Sequence, residues 1–293
     1  MRQISIISGK GGTGKTSLTA ALASIVENAV FADCDIEAAD LHLIFQAERI
    51  DKYEFSRSKK VKILQDECIR CGLCFNLCRF DAIDRIRNKY YVREFSCEAC
   101  DLCRKACPVM AIEQIDGNMG EYYVTDSRFG KMVYGQLGVG EEISGELISH
   151  VREKGRDIGQ ENKNDYLIID GPPGIGINAI SSIIGSDLVI IIAEPTQSGL
   201  HDLERAYQLA DSYDIDSKVI INKWNLNENM SSEIENFCNK MGLDVLTKLP
   251  FDRNVAYAMF EQNSIIEYRA DSEISILIKN TWENIISSLN EKP

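Results

Sequence analysis

A chain of 293 residues has room for one large domain or two smaller ones, and 44% hydrophobic residues supply an ordinary core. Its 32 basic residues face 45 acidic ones, a formal charge of −13, which argues against a general nucleic-acid binder and against adhesion to an anionic membrane surface. Ten cysteines, no visible signal peptide and no apolar run longer than 188–193 predict a cytoplasmic chain whose thiols serve metal or redox chemistry rather than disulfides.

In chain order, apolar β-branched runs predict strands at 3–8, 29–33, 166–170, 188–193, 218–222 and 244–249. Helix-like segments lie near 15–27, 142–154, 176–185, 199–213, 231–241 and 253–262. Near-continuous apolar strands separated by helices predict an α/β fold, doubly wound, with a mostly parallel sheet covered on both faces. The last segment, 272–289, sets Ile274, Leu277, Ile278, Thr281, Ile285 and Leu289 on one helix face. Its single lysine, Lys279, favours docking on the sheet over lying in a membrane surface. Residues 59–117 break the alternation, being short, cysteine-dense and without a long helix. "EYYVTDS" and "KMVYGQL" then read as a hairpin over 121–137. The expected organisation is one α/β domain at 1–58 and 118–293, interrupted by a small α+β insertion at 59–117.

Gly9-x4-Gly14-Lys15-Thr16 fits a phosphate-binding loop and sits after a strand and before a helix. The run Gly9, Lys10, Gly11, Gly12, Thr13, Gly14, Lys15, Thr16 and Ser17 would turn backbone amides toward phosphate oxygens, with the helix dipole behind them. Lys15 is placed for the β- and γ-phosphates and Thr16 for Mg²⁺. The motif itself has no use for a second lysine, Lys10. Here "KGGTGKT" resembles the deviant phosphate loop of the MinD/ParA-type ATPases, which include the nitrogenase iron protein. The resemblance implies that Lys10 reaches across an ATP-state homodimer to the partner's phosphates, so that hydrolysis waits for assembly, as with an arginine finger supplied in trans. The alternative is a solvated loop lysine. By the same resemblance, "FADCDIEAADLH" (31–42) is similar to the first switch, with Asp35 positioning water and Asp33 a strand-end carboxylate near Mg²⁺. "DYLIIDGPPGIG" (165–176) is similar to the second switch, with Asp170 holding Mg²⁺ through water, a helix cap being the alternative. Asn222 matches the position that reads the adenine edge, and "LPFDRNVAYA" (249–258), with Pro250 and Asp252, the base-enclosing loop. Lys10, Lys15, Asp35 and Asp170 are the catalytic residues this implies. Asn263 departs from the glycine that many relatives carry.

The cysteines form two runs, Cys68-x2-Cys71-x2-Cys74-x3-Cys78 and Cys97-x2-Cys100-x2-Cys103-x3-Cys107-Pro108. This spacing is that of bacterial two-cluster ferredoxins, in which the fourth cysteine of a run ligates the other cluster. It assigns Cys68, Cys71, Cys74 and Cys107 to one [4Fe–4S] cluster, and Cys97, Cys100, Cys103 and Cys78 to the other. Structural zinc more commonly takes CxxC pairs a dozen or more residues apart. Arg79 stands where standard ferredoxins have proline; tuning a cluster, docking an acidic partner and plain exposure are all open to it. Cys238 reads as a buried apolar cysteine. Cys34, between Asp33 and Asp35, stays open.

Together with "GQLGVGEEISGEL" (135–147) and "AEPTQSGLHDLERA" (193–206), these motifs resemble MinD-superfamily ATPases that carry an inserted ferredoxin domain. The resemblance implies ATP, Mg²⁺ and two [4Fe–4S] clusters as cofactors. It also implies an ATP-closed homodimer that gates electron delivery to a protein redox acceptor. An ATPase assembling iron–sulfur clusters or a metal cofactor on a client protein is the alternative. A MinD-like spatial organiser would need a membrane helix or a DNA-binding surface, and the sequence offers neither; no nucleic acid and no stable membrane anchor are expected.

Overall fold

The computed structural model describes residues 1–37, 39–47, 49–55, 59–93, 96–97, 100–116, 120–137 and 145–290. Residues 138–144 of the motif at 135–147, and with them the start expected for the helix near 142–154, lie outside the described residues. So do Ala38 of the first switch, Glu98 and Ala99 of the second cysteine run, and the expected edge of the insertion at 117.

The chain opens with β1 (Arg2–Ser8), α1 (Lys15–Ala23), β2 (Ala29–Asp33) and the short α2 (Leu41–Phe45). Next come β3 (Arg49–Phe55), β4 (Lys59–Ile63), α3 (Leu73–Leu77), β5 (Ile83–Ile86), β6 (Lys89–Val92), α4 (Leu102–Ala106) and β7 (Ile112–Asp116). β8 (Gly120–Ser127) and β9 (Gly130–Leu137) form the hairpin, followed by α5 (Gly145–Glu161), β10 (Tyr166–Pro173), α6 (Ile177–Ile183) and β11 (Leu188–Ala193). The chain then runs through α7 (Gln197–Ser212), β12 (Ser217–Asn222), α8 (Glu228–Met241), β13 (Asp244–Leu249), α9 (Arg253–Phe260), α10 (Ile265–Tyr268) and α11 (Glu273–Asn290).

Two compact units divide the chain. The first comprises Met1–Lys52, Tyr122–Gln136 and Ile143–Pro293; the second comprises Tyr53–Glu121 and Leu137–Glu142. A nine-stranded sheet runs β13-β12-β11-β1-β10-β2-β9-β8-β3, parallel from β13 through β9. Its inner strands are largely apolar because both faces are buried. Ile4, Ile6, Ile168, Ile190 and Ile220 pack into one core, while Ile7, Val189, Ile191, Val219 and Ile221 pack into the other. Helices α1, α10 and α11 contribute to the first core, and α7 and α8 to the second. α11 buries Ile274, Ile278, Thr281, Trp282, Ile285 and Leu289, so its apolar face is spent on the core. Among the described residues no helix is long and apolar enough to cross a membrane. The parallel arrangement brings the carboxyl ends of β1, β2, β10 and β12 to one edge, where ligands of open α/β sheets bind. Ser8, Asp33, Asp170 and Asn222 lie in those ends.

The second unit is built on two antiparallel pairs, β4–β7 and β5–β6, with α3 packed on α4. Its core is small: Val61, Ile63, Ile83, Tyr90 and Ile112 are joined by the thiols of Cys74 and Cys103.

Candidate functional site

The loop from β1 to α1 is shaped by residues without side chains. Gly12 and Gly14 have φ of +77° and +101°, a region that L side chains rarely adopt. A Cβ at Gly14 would also strike the Asn222 amide, and one at Gly9 the Asp202 side chain. Asn222 Nδ2 donates to the Thr13 carbonyl (2.7 Å), Lys223 Nζ to the Gly12 carbonyl (2.8 Å), and Ser8 Oγ to the Lys10 carbonyl (2.7 Å). These bonds take up loop carbonyls, the groups that would repel a phosphate. Gly14 caps α1 without a side-chain acceptor. The first-turn amides of α1 and their positive dipole are therefore open to an anion. Lys15 is buried, and the buried Thr13 Oγ1 has no hydrogen-bond partner.

Asp33 and Asp170 sit opposite each other on β2 and β10, both fully buried. Asp33 accepts from the Asp35 amide (3.1 Å) and the Leu41 amide (3.4 Å). Asp170 Oδ1 accepts from Thr19 Oγ1 (3.2 Å), while its Oδ2 is buried without a partner. Burial pushes the Asp170 carboxyl up to about 6, against the pull of the Thr16 hydroxyl and the Lys15 ammonium. Burial and then the Asp170 charge push Asp33 well above the usual carboxylate range. Two buried carboxyls, one with an orphaned oxygen, beside Thr16 form a donor set that fits a hard divalent cation. The Cys34 amide donates to the Asp170 carbonyl (2.8 Å). Its fully buried thiol, held protonated by burial, lies 3.9 Å from the Ile148 carbonyl and packs as a small hydrophobe.

A cavity of about 280 Å³ adjoins the loop, lined by Ser17, Asn222, Pro250, Asp252 and Val255 over an aliphatic floor that includes Ile220. Asn222 thus faces the cavity and braces the loop at once, its Oδ1 accepting from the Lys223 amide (2.9 Å). Asp252 caps α9 through the Asn254 amide (2.8 Å). Lys10 Nζ donates to Glu194 Oε1, Thr196 Oγ1 and Ser198 Oγ, each at 3.3 Å, within its own chain. Glu194 Oε2 also accepts from Lys223 Nζ at 3.4 Å. Sequence reasoning missed Thr19, Glu194 and Lys223. Their signals were position alone: one turn after Lys15, one residue past an apolar strand, and one residue past Asn222.

The described residues of the two cysteine runs share local features. Gly72 and Asp101, each following the second cysteine of its run, both take left-handed backbone, at φ +76° and +63°. Asp101 is held there by Arg104, with oxygen–nitrogen distances of 2.5 and 2.7 Å. Cys78 Sγ accepts from the Ala82 amide and Cys107 Sγ from the Ala111 amide, both at 3.3 Å. One cavity is lined by Cys68, Cys71, Cys74 and Cys107, the other by Cys78, Cys97, Cys100 and Cys103. All ten cysteines are free thiols. Among the described residues no group of three or more His, Cys, Asp or Glu side chains closes on a single metal ion. Cys238 is fully buried on α8.

Residues 4–265 match the family model of the CobQ/CobB/MinD/ParA nucleotide binding domain. The uncharacterized protein MJ0578 of Methanocaldococcus jannaschii is 32% identical over 286 residues, with 97% of this chain and 96% of that protein covered. The septum site-determining protein MinD of Pyrococcus horikoshii, solved with Mg-ADP, shares the fold at a TM-score of 0.56 and 17% identity, covering 100% of this chain and 99% of that one. A chain of the MinC:MinD cell division protein complex of Aquifex aeolicus shares it at a TM-score of 0.61 and 20% identity, covering 98% and 96%. The chain belongs to the CobQ/CobB/MinD/ParA nucleotide-binding family, of the ATPase type with a phosphate-binding loop.

Proposed function

We propose that this protein is an ATP-dependent iron–sulfur redox protein, in which ATP-driven homodimerisation gates electron delivery from two [4Fe–4S] clusters to a partner protein. One observation carries the reading: each cysteine cavity takes three thiols from one run and its fourth from the other run. That crossing is the ligand arrangement of two-cluster ferredoxins. A cubane spreads four thiolates over a cage, which suits thiols that line a cavity without meeting at one ion. Such clusters supply one-electron transfer. Cys68, Cys71, Cys74 and Cys107 would hold one, and Cys97, Cys100, Cys103 and Cys78 the other. The amides of Ala82 and Ala111, already bonded to sulfur, would stabilise ligand charge.

On the nucleotide side, the loop from Gly9 to Ser17 binds the phosphates through its amides and Lys15 neutralises the β- and γ-oxygens. Thr16 directly and Asp170 through water would hold Mg²⁺, which would supply charge neutralisation at those oxygens. Asn222, Pro250 and Asp252 border the base. Asp35 orients the attacking water, and Lys10 meets the partner's phosphates in the ATP-bound homodimer. Anaerobic iron and sulfide analysis with electron paramagnetic resonance of the reduced protein tests the reading. It expects about eight irons per chain. Stoichiometric zinc with no iron-dependent signal would contradict it.

The fold likeness to MinD favours a second reading, a spatial organiser. Likeness of fold alone does not carry function. ATP-dependent binding to anionic vesicles, undiminished by loss of the cysteines, would support that reading over the redox one.

A further inference from the structure

The turn between β8 and β9 holds Arg128, whose side chain ties together segments that are distant in the chain. Its Nη2 donates to the Ile44 carbonyl (2.9 Å), the Gln262 carbonyl (3.0 Å) and Glu267 Oε2 (3.0 Å), and its Nη1 lies 2.7 Å from Glu267 Oε1. The guanidinium also lies over the Phe129 ring, 4.6 Å from its centroid, and Phe129 packs edge-on against Phe45 of α2. Resting on the reading that Asp35 orients the attacking water, we infer that Arg128 is a positioning residue for ATP hydrolysis: it fixes the far end of α2 to α10 and thereby holds the segment that carries Asp35.

α2 needs such a hold. Its five residues are too few for a helix to stand alone, and the Asp40 side chain does not cap it. The Leu41 amide donates to Asp33 Oδ2 (3.4 Å), so the near end of α2 rests on the strand-end carboxylate. The last turn of a helix offers carbonyls without a helical partner, and Arg128 takes that of Ile44. Gln46, which closes α2 in left-handed backbone, reaches the same Gln262 carbonyl through Nε2 at 3.4 Å. Residues 34–40 are therefore strung between two fixed points, the end of β2 and the start of α2. The anchor on the other side is firm. Glu267 belongs to the capping box of α10 and accepts from the Ser264 amide (2.9 Å), while α10 buries Ile265 and Ile266 in the sheet core. Arginine suits this post, because its planar fork meets a carboxylate with two nitrogens and still reaches carbonyls, which a lysine cannot do at once. Holding the segment matters, since a misplacement of about 1 Å can cost about 100-fold in rate.

The test measures steady-state ATP hydrolysis, Mg-ADP affinity by calorimetry and thermal melting on the full-length protein. Arg128→Ala, Arg128→Lys, Asp35→Asn and a matched control, Arg2→Ala, are compared with the parent. Arg2 joins Asp187 (3.5 Å) to the helix-end carbonyl of Leu289 (3.3 Å), at the start of β1 and away from the phosphate loop. Arg128→Ala should lower kcat about 10- to 100-fold. Its Mg-ADP affinity should stay within about twofold of the parent, because Lys15 and the loop amides are untouched. Arg128→Lys keeps the charge without the fork and should lose about 3- to 10-fold in kcat; it carries the test even where the alanine variant fails to fold. Arg2→Ala should melt lower than the parent and keep the parent's kcat. Parental kcat in the Arg128 variants, or a matching loss in Arg2→Ala, would overturn the inference. So would a loss of Mg-ADP affinity as large as the loss of kcat, which would assign Arg128 to nucleotide binding instead. Asp35→Asn separates the two readings. If it turns over like the parent, the first-switch reading fails and the inference falls with it; if it is inactive while the Arg128 variants are fully active, only the inference is refuted.

Discussion

The two units place their candidate ligand groups by opposite means. In the nucleotide unit the scaffold stands apart from the ligand. Ile4, Ile6, Ile168, Ile190 and Ile220 form a buried sheet core, and the candidate ligand groups sit at the strand ends. In the cysteine unit the candidate ligands are the core, since Cys74 and Cys103 are buried among five hydrophobic residues and four more cysteines pack against them. The first unit can fold and wait for its nucleotide. The second has little apolar material of its own, and on the proposed reading it depends on what the thiols bind, as small metal-bound domains do.

Metal removal is the sharpest way to break that comparison. If the proposed clusters are present, chelating their iron should open the amides of β4 to β7 to hydrogen exchange, while those of β1, β10 and β11 keep their protection. Equal loss in both units, or no loss in either, would show that the units do not differ in this way. Within the nucleotide unit, Lys15→Ala should weaken Mg-ADP binding by about 10- to 100-fold in calorimetric titration, the worth of one or two charge-assisted bonds. Asn222→Ala should cost less: about 1 kcal/mol of stability in urea unfolding, for the bond to the Thr13 carbonyl. A pH effect comes last. Asp33 and Asp170 sit above the ordinary aspartate value of about 3.9. Folding therefore favours their protonated forms. The stability they contribute is complete below about pH 4 and is lost as pH rises through the folded value of Asp170, about 6. The nucleotide-free protein should melt lower at pH 7.5 than at pH 5.5, and Asp170→Asn should narrow that gap. A gap of equal size in Asp170→Asn would place its origin elsewhere.

The parallel sheet was legible because strands buried on both faces announce themselves as near-continuous apolar runs: 29–33 and 188–193 coincide with β2 and β11, both buried along their whole length. β3, "RIDKYEF", was not, because an edge strand with charged residues lacks that signal. The five-residue helices α2, α3 and α4 are too short to show a period. At the site, glycine spacing located the loop and cysteine spacing the two quartets. The bonds that join distant segments were invisible: Asn222 to Thr13, Lys223 to Gly12 and Lys10 to Glu194 each span about two hundred residues. No local pattern encodes them, since they follow from strand order.

The central claim is that nucleotide and clusters serve one cycle, and the most direct measurement is the affinity for Mg-ATPγS of the oxidised and the dithionite-reduced protein, paired with cluster potentials in Mg-ADP and in Mg-ATPγS. Two coupled sites typically change each other's affinity by about 5- to 150-fold, and reciprocity requires the same factor in both directions. A tenfold change in affinity on reduction would appear as a shift of about 59 mV in a one-electron potential. The account predicts matched shifts of this kind. Equal affinities together with unchanged potentials would contradict it.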